Sequence, residues 1–144
     1  ISDYSQIWKI DEAYAEHGYT KYMNIKINDT QNLFDQNIKW LEENLEKYKD
    51  RTVVVLSHHL PSFKLVHKKY EGDIINYTFA SNLDYLFEKY PNIKYWICGH
   101  THSSQDIMIN KTRCLINPAG YFRDKQDFKI ENDEYKNDTV VDIL

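Results

Sequence analysis

Apolar residues recur every three or four positions between residues 33 and 48, which is the spacing of one face of an α-helix. The positions on this face are Phe34, Ile38, Leu41, Leu45 and Tyr48. The pattern predicts an amphipathic helix of about five turns. Asp29 or Thr30 is expected to cap its N-terminus, and the segment before it shows no clear period and is expected to be irregular.

Two runs of consecutive apolar residues predict strands. Residues 52–57 are rich in β-branched side chains, and residues 93–98 form the second run. A run without polar alternation favours a strand covered on both faces, in the interior of a layered sheet. A second helical face lies between the two runs and ends at Pro91. Its positions are Phe79, Leu83, Leu86, Phe87 and Tyr90.

The last third of the chain predicts a β-ribbon. Residues 106–109 and 113–116, joined by a turn at 110–112, have the pattern of a hairpin. The segment NPAG at 117–120 ends it, and residues 139–144 are a last strand candidate. The order helix, strand, helix, strand and ribbon predicts an α/β fold.

The composition is that of an ordinary soluble domain, with 144 residues, 42% hydrophobic and 28% charged. The formal net charge of −4 disfavours nucleic acid and acidic membrane surfaces as partners. No run approaches the roughly 18 apolar residues of a membrane span, and no signal-peptide pattern is present. Cys98 and Cys114 lie in β-like runs and are expected to be buried free thiols, which predicts a cytoplasmic protein.

Four of the six histidines follow the two predicted strands. His58 and His59 come after the first strand, and His100 and His102 come after the second, in the segment GHTH at 99–102. Ligands in open α/β sheets gather beyond the carboxyl ends of the strands, and residues i and i+2 of an extended segment point to the same side. If the strands are neighbours, the pattern predicts a metal site with His58, His100 and His102 as ligands. His59 is the candidate catalytic residue, contacting those ligands or facing a substrate.

A hydrogen-bonded surface position is the ordinary role of an isolated histidine, and it is the interpretation kept for His17 and His67. Three imidazoles suit zinc, manganese or iron rather than calcium. A hydrolytic centre of two ions also needs anionic ligands. The local candidates are Asp73 and Asp106, although Asp106 fits a surface or turn-capping role better.

A long loop at residues 62–78 carries three lysines close in sequence to His58. They are Lys64, Lys68 and Lys69. These lysines are candidate substrate-binding residues for a phosphate group, and a solvated basic loop is an equally good interpretation.

Three segments together carry a family resemblance: VVVLSHHLPS at 53–62, YWICGHTH at 95–102 and NPAGY at 117–121. The chain resembles the C-terminal half of a calcineurin-like metallophosphoesterase. The resemblance implies half of a four-layer α/β/β/α sandwich, with a mixed sheet and a C-terminal β-hairpin. It also implies a centre of two divalent ions (manganese, iron or zinc) that hydrolyses a phosphate mono- or diester of a phosphorylated small molecule. His58 and His100 would bind one ion, and His102 the other.

The earlier motifs of that family, Asp-x-His, Gly-Asp-x-x-Asp and Gly-Asn-His, have no counterpart in this sequence. Residues 1–144 are therefore expected to form a single partial domain that supplies half of the site. The partner would be the missing N-terminal half of the domain, removed or carried on another chain. We expect the isolated chain to be inactive as a phosphoesterase.

The alternative function is a non-catalytic scaffold or fragment that keeps the fold for protein interaction. The three retained ligands favour the enzyme, because a scaffold has no need of them. A nuclease of the same superfamily is disfavoured by the acidic balance. A metallo-β-lactamase-like hydrolase would require an aspartate where Ser104 stands.

Overall fold

The computed structural model describes residues 7–10, 21–124 and 129–143 of the chain. These residues belong to two units, Ile1–Asn44 and Leu45–Leu144. The first unit contains two short strands and most of a long helix. The second contains the sheet that carries the histidines.

Two short strands form in the region where the sequence shows no period. β1 (Trp8–Ile10) pairs antiparallel with β2 (Tyr22–Asn24), and Lys9 lies opposite Met23. The expectation of irregular structure is wrong for these residues. Strands of three residues are too short to show a side-chain alternation, and backbone pairing defines them.

The long helix α1 (Ile27–Lys47) begins ahead of the predicted caps. Asp29 lies in its first turn, where the carboxylate accepts a hydrogen bond from the backbone N–H of Lys26 at 2.8 Å. Lys9 donates to the same carboxylate at 2.6 Å, and these two bonds hold the pKa of Asp29 below its ordinary value. The predicted cap position is therefore wrong. Asp29 caps the helix from its third residue, as the acidic member of a capping box does.

The apolar face of α1 is only partly covered. Leu45 is 1% exposed and Phe34 is 38% exposed, and Tyr48, predicted to lie on this face, follows the end of the helix. Ile38 and Leu41 are half-buried. The helix itself is confirmed, and the periodicity marked its apolar face without fixing how much of that face is buried.

A four-stranded mixed sheet organises the second unit. Its strands are β3 (Val53–Leu56), β4 (Ile93–Cys98), β5 (Gln105–Ile109) and β6 (Thr112–Ile116), in the spatial order β3-β4-β6-β5. β3, β4 and β6 run parallel, and β5 runs antiparallel to β6. The two predicted strands, the mixed sheet and the hairpin are confirmed, and the fold is α/β.

β3 lies at the edge of this sheet among the strands that the structure describes. Val55 is 8% exposed, but Leu56 is 73% exposed. The predicted interior position of β3 is therefore wrong for this part of the chain. The interior strands are β4 and β6, and in β4 Ile93 and Trp96 are 0% and 2% exposed. An apolar run specifies a strand, but the strands that pair with it decide how many neighbours it has.

The register of β3 and β4 brings their carboxyl ends together. Val55 lies opposite Trp96 in the parallel ladder. Beyond the strands, the N–H of Ser57 donates to the carbonyl of Ile97 at 3.0 Å, and the N–H of Gly99 donates to the carbonyl of His58 at 3.1 Å. The ladder thus continues into both histidine-bearing segments.

The second helix is shorter than predicted. α2 covers Asp84–Lys89, and Phe79 lies outside it. The N–H of Leu60 donates to the carbonyl of Phe79 at 2.8 Å, so Leu60 and Ala80 form an isolated parallel bridge. The helical interpretation of Phe79 is wrong because this extended pairing takes the backbone bonds that a helix would use.

The loop between β3 and α2 contains three 3₁₀ segments. They are Phe63–Leu65, Lys68–Tyr70 and Ile74–Thr78. Ser62, His67 and Asp73 cap them, each accepting a hydrogen bond from a backbone N–H two residues later.

The C-terminal segment departs from its prediction. Residues 139–143 form no strand, and the backbone carbonyl of Asp142 accepts a hydrogen bond from the hydroxyl of Tyr95 at 2.8 Å. The strand predicted at 139–144 is therefore wrong for the five residues described. Two short strands, β7 (Phe122–Asp124) and β8 (Lys129–Ile130), pair antiparallel ahead of it.

Both cysteines are free and buried, as expected. Burial raises the pKa of the Cys98 thiol and of the Cys114 thiol to about 12 each. Neither thiol is therefore ionised at neutral pH. No helix in the described ranges is long and apolar enough to cross a membrane.

Candidate metal centre

Three histidine side chains meet where β3 and β4 end. His58, His59 and His100 each offer a ring nitrogen, and these nitrogens lie within 4.8 Å of one another. Nδ1 of His100 is 3.2 Å from Nε2 of His58. We call these residues the three-histidine group. Its members are exposed to solvent, so a small molecule has access to them.

The backbone at the second strand end is unusual. His100 has φ of 64°, in the left-handed region that residues other than glycine rarely adopt. Its ring stacks on Phe79 with centroids 5.1 Å apart, and it meets the rings of His58 and His59 edge-on. A strained backbone of this kind costs about 1–3 kcal/mol and is concentrated at functional sites.

Two members of the three-histidine group have the nitrogen spacing of ligands on one transition-metal ion. Two nitrogens bound to one tetrahedral ion at about 2.0–2.1 Å lie about 3.3 Å apart. The observed separation of 3.2 Å between His100 Nδ1 and His58 Nε2 matches this spacing. Imidazole ligands suit zinc, manganese or iron. The group contains no carboxylate from the described part of the chain.

His102 lies outside the three-histidine group. Its Nδ1 is 2.7 Å from Oε2 of Glu131, and its ring meets the ring of Tyr121 edge-on at 4.5 Å. The structure therefore brings together His58 and His100 of the predicted ligands and adds His59 to them. The assignment of His102 to a second ion stays a prediction, as does the catalytic role of His59.

Glu131 is a functional candidate that the sequence did not reveal. It lies 29 residues after His102, in an acidic segment without any motif. The only local signal is Gly120, which has φ of 74°. A Cβ added to Gly120 would lie 2.9 Å from Cβ of Glu131 and 3.4 Å from Cβ of His102. This close approach requires a glycine, and it places Gly120 beside both Glu131 and His102.

The two aspartates considered as ligands have other partners. Asp73 caps the third 3₁₀ segment, accepting from the N–H of Ile75 at 2.9 Å. Asp106 accepts two hydrogen bonds from Arg113, at 2.8 Å and 2.7 Å, and these bonds hold the pKa of Asp106 below its ordinary value. Asp106 thus has the surface role that the sequence favoured.

The three lysines lie on the loop after His58. Nζ of Lys64 forms an ion pair with Asp84 at 2.8 Å. Nζ of Lys69 lies 4.8 Å from the centre of the Tyr70 ring. Lys68 and Lys69 are exposed. A role in binding phosphate stays a prediction for all three.

Comparison with known proteins bears on this arrangement. A family model for calcineurin-like phosphoesterases matches residues 3–104, which include both histidine-bearing strand ends. This chain belongs to the calcineurin-like phosphoesterase family. The family resemblance drawn from the sequence is thereby confirmed, and the mixed sheet with its two helices is consistent with part of that fold.

Proteins similar to this chain include two bacterial proteins and one viral protein. The 3′,5′-cyclic adenosine monophosphate phosphodiesterase CpdA of Escherichia coli is 32% identical over 82 residues, 57% of this chain and 29% of CpdA. The protein of the same name from Vibrio vulnificus is 28% identical over 108 residues, 75% of this chain and 37% of the relative. An uncharacterised protein of Acanthamoeba polyphaga mimivirus is 27% identical over 135 residues, 89% of this chain and 45% of the relative.

The chain spans less than half the length of these relatives. No solved structure matches it.

Proposed function

We propose that this chain forms part of a metal-dependent phosphoesterase with a dinuclear centre of divalent ions. The observation that carries the proposal is the three-histidine group, whose ligand nitrogens lie within 4.8 Å of one another in a chain of this family. His58 and His100 would hold one ion, with His59 as a neighbouring nitrogen. His102 would contribute to the second ion.

A divalent ion in this position supplies Lewis acidity to a phosphoryl oxygen. The residues of the chain fix the ligand nitrogens: the β3–β4 ladder sets the position of His58 against Gly99, and Phe79 supports the ring of His100. Because the rings are exposed, a phosphate ester can approach them from solvent. Lys68 and Lys69, which are exposed on the adjacent loop, would offer positive charge to the phosphate.

The proposed substrate is a phosphodiester. Two relatives carry the name 3′,5′-cyclic adenosine monophosphate phosphodiesterase, so that cyclic nucleotide is the first natural compound to test. The three-histidine group has no carboxylate among the described residues, and a centre of two metal ions requires anionic ligands. We therefore expect activity only when the other half of the domain, on the same or another chain, completes the site.

The test uses the longest polypeptide that the gene encodes, incubated with Mn²⁺ and bis(p-nitrophenyl) phosphate or 3′,5′-cyclic AMP. We expect metal-dependent hydrolysis, which His100→Ala lowers by about 100-fold or more because loss of a ligand removes several kcal/mol of transition-state stabilisation. The matched control is His67→Asn, which replaces another histidine and keeps a residue type that caps the second 3₁₀ segment.

Metal content is measured on the same samples. A polypeptide that binds two ions and hydrolyses neither diesters nor monoesters would overturn the enzymatic proposal and favour the scaffold. Equal activity in the His100→Ala and His67→Asn variants would remove the three-histidine group from the proposal.

A further inference from the structure

His102 and Glu131 form a second arrangement of potential ligands, apart from the three-histidine group. Nδ1 of His102 and Oε2 of Glu131 are 2.7 Å apart, with side chains 27% and 33% exposed. At this distance the two groups form a strong hydrogen bond. The bond determines which ring nitrogen of His102 carries the proton.

An ionised carboxylate accepts hydrogen bonds and donates none. Nδ1 of His102 must therefore carry a proton, because an unprotonated nitrogen would face the carboxylate with its lone pair. In the neutral ring this leaves Nε2 with a free lone pair, the form in which an imidazole binds a metal ion. Glu131 thus selects one tautomer of His102.

The Glu131 carboxylate is itself held in place. Its Oε2 also accepts a hydrogen bond from the backbone N–H of Tyr121 at 3.2 Å, and the N–H of Glu131 donates to the carbonyl of Tyr121 at 2.8 Å. Gly120, which precedes Tyr121 in the chain, has no side chain and so leaves the space in which the Glu131 carboxylate lies. The carboxylate oxygen therefore has two donors that fix its orientation toward His102.

The adjacent residue anchors this segment to the histidine loop. Asn132 is 4% exposed. Its Nδ2 donates to the carbonyl of Pro118 at 2.6 Å and to Oγ of Ser104 at 2.9 Å. Ser104 lies two residues after His102. Asn132, the buried neighbour of Glu131, therefore holds Glu131 against the loop that carries His102.

The geometry points to Glu131 as a positioning residue for His102, fixing the ring with Nε2 directed away from the carboxylate and available to a divalent ion. This inference rests on the proposed function for the identity of the ligand. It adds a residue that the family motifs in this sequence do not include. Carboxylates that orient metal-binding histidines in this way change metal affinity by about 10- to 100-fold.

The decisive measurement needs no metal. Long-range ¹H–¹⁵N NMR spectra of the histidine rings distinguish the two neutral tautomers from each other and from the doubly protonated ring. The His102 signals are assigned by their loss in His102→Gln. We expect the Nδ1–H tautomer in the wild-type chain and a shift toward Nε2–H, the form favoured by an unpartnered imidazole, in Glu131→Ala.

Two further variants separate positioning from folding. Glu131→Gln keeps an oxygen that accepts from both His102 and Tyr121, so it should retain the Nδ1–H tautomer. Glu134→Gln neutralises an exposed acid three residues away and should change nothing. An Nε2–H tautomer in the wild type, or an unchanged tautomer in a folded Glu131→Ala variant, would overturn the assignment.

A second experiment measures metal binding and uses the longest polypeptide that the gene encodes. Equilibrium dialysis against Mn²⁺ should show one of two ions bound about 10- to 100-fold more weakly in Glu131→Ala, with partial recovery in Glu131→Gln. If Glu131→Ala does not fold, the wild-type tautomer and Glu131→Gln carry the test. Failure of the proposed function would remove metal binding in the wild type and leave the tautomer result intact, so the two failures are distinguishable.

Discussion

The two parts of the candidate site differ in what holds their histidines. In the three-histidine group, the strand ends and the surrounding rings position exposed imidazoles, and no described carboxylate takes part. At His102, a carboxylate from a later segment fixes a half-buried ring. The two arrangements are separated by one residue in the chain, since His100 and His102 flank Thr101.

This difference assigns separate tasks to the two regions. The β3–β4 ladder places His58 beside Gly99, the neighbour of His100, through backbone hydrogen bonds, and the ring of Phe79 supports the ring of His100. The orientation of His102 depends instead on Glu131 and Tyr121, which contact its ring, and on Gly120, which lies beside both His102 and Glu131. A substitution that disturbs one of these two regions should therefore leave the histidine arrangement of the other unchanged.

The largest expected effect separates His58 from His102, the proposed ligands of the two different ions. In the 144-residue chain, His58→Ala should weaken Zn²⁺ binding by about 100-fold or more, since loss of a ligand exceeds the 10- to 100-fold effect of an outer contact. His102→Ala should change the affinity by no more than about threefold, because its ring lies outside the three-histidine group.

Isothermal titration calorimetry with Zn²⁺ gives both affinities, and circular dichroism confirms that each variant is folded. The reverse order, with His102→Ala the more damaging, would mean that the ion bound by this chain lies at His102 and not between His58 and His100.

Sequence reasoning reached the parts of the site that follow from local pattern. The β-branched run at 52–57 and the apolar run at 93–98 form strands, and His58 and His100, which follow them, lie close together, whereas His102 lies outside their group. The free thiols Cys98 and Cys114 followed from their position in such runs.

The missed features depend on long-range pairing. Leu56 is exposed because β3 lies at the edge of the described sheet, and Phe79 leaves the helix because Leu60 pairs with it. Glu131 reaches His102 across 29 residues. No local period encodes which distant segments meet, so these contacts could not be read from the sequence alone.

A smaller effect comes from Gly120, which supports the His102 region. Gly120→Ala should destabilise the chain by about 2–4 kcal/mol, combining the left-handed backbone cost with the overpacking cost of a Cβ placed 2.9 Å from Cβ of Glu131. The matched control is Gly72→Ala, where φ is 80° and no atom lies within 4 Å of the added Cβ. That variant should lose only about 1–2 kcal/mol.

Urea denaturation monitored by circular dichroism measures both free energies of unfolding. Equal losses would mean that the contact between Gly120 and Glu131 carries no energy. The population of the Nδ1–H tautomer of His102 should also fall in Gly120→Ala and stay unchanged in Gly72→Ala.

The smallest expected effect concerns Asp106, a carboxylate whose two oxygens both accept hydrogen bonds from Arg113. Hydrogen bonds from Arg113 hold the pKa of Asp106 below its ordinary value, so the pair stabilises the fold above the unfolded-state pKa of about 3.9. That contribution is lost as the pH falls through the lower folded-state pKa. Side chains 52% and 43% exposed allow solvent to screen the pair.

Asp106→Asn should therefore lower the urea midpoint at pH 7 by less than Gly72→Ala does, and the difference from wild type should shrink as the pH falls below about 4. Its Zn²⁺ affinity should equal that of the wild type, because both carboxylate oxygens are bound to Arg113. Weaker Zn²⁺ binding in this variant would bring Asp106 into the metal centre. The three-histidine group would then have an anionic ligand on its own chain, and its contrast with the His102–Glu131 pair would disappear.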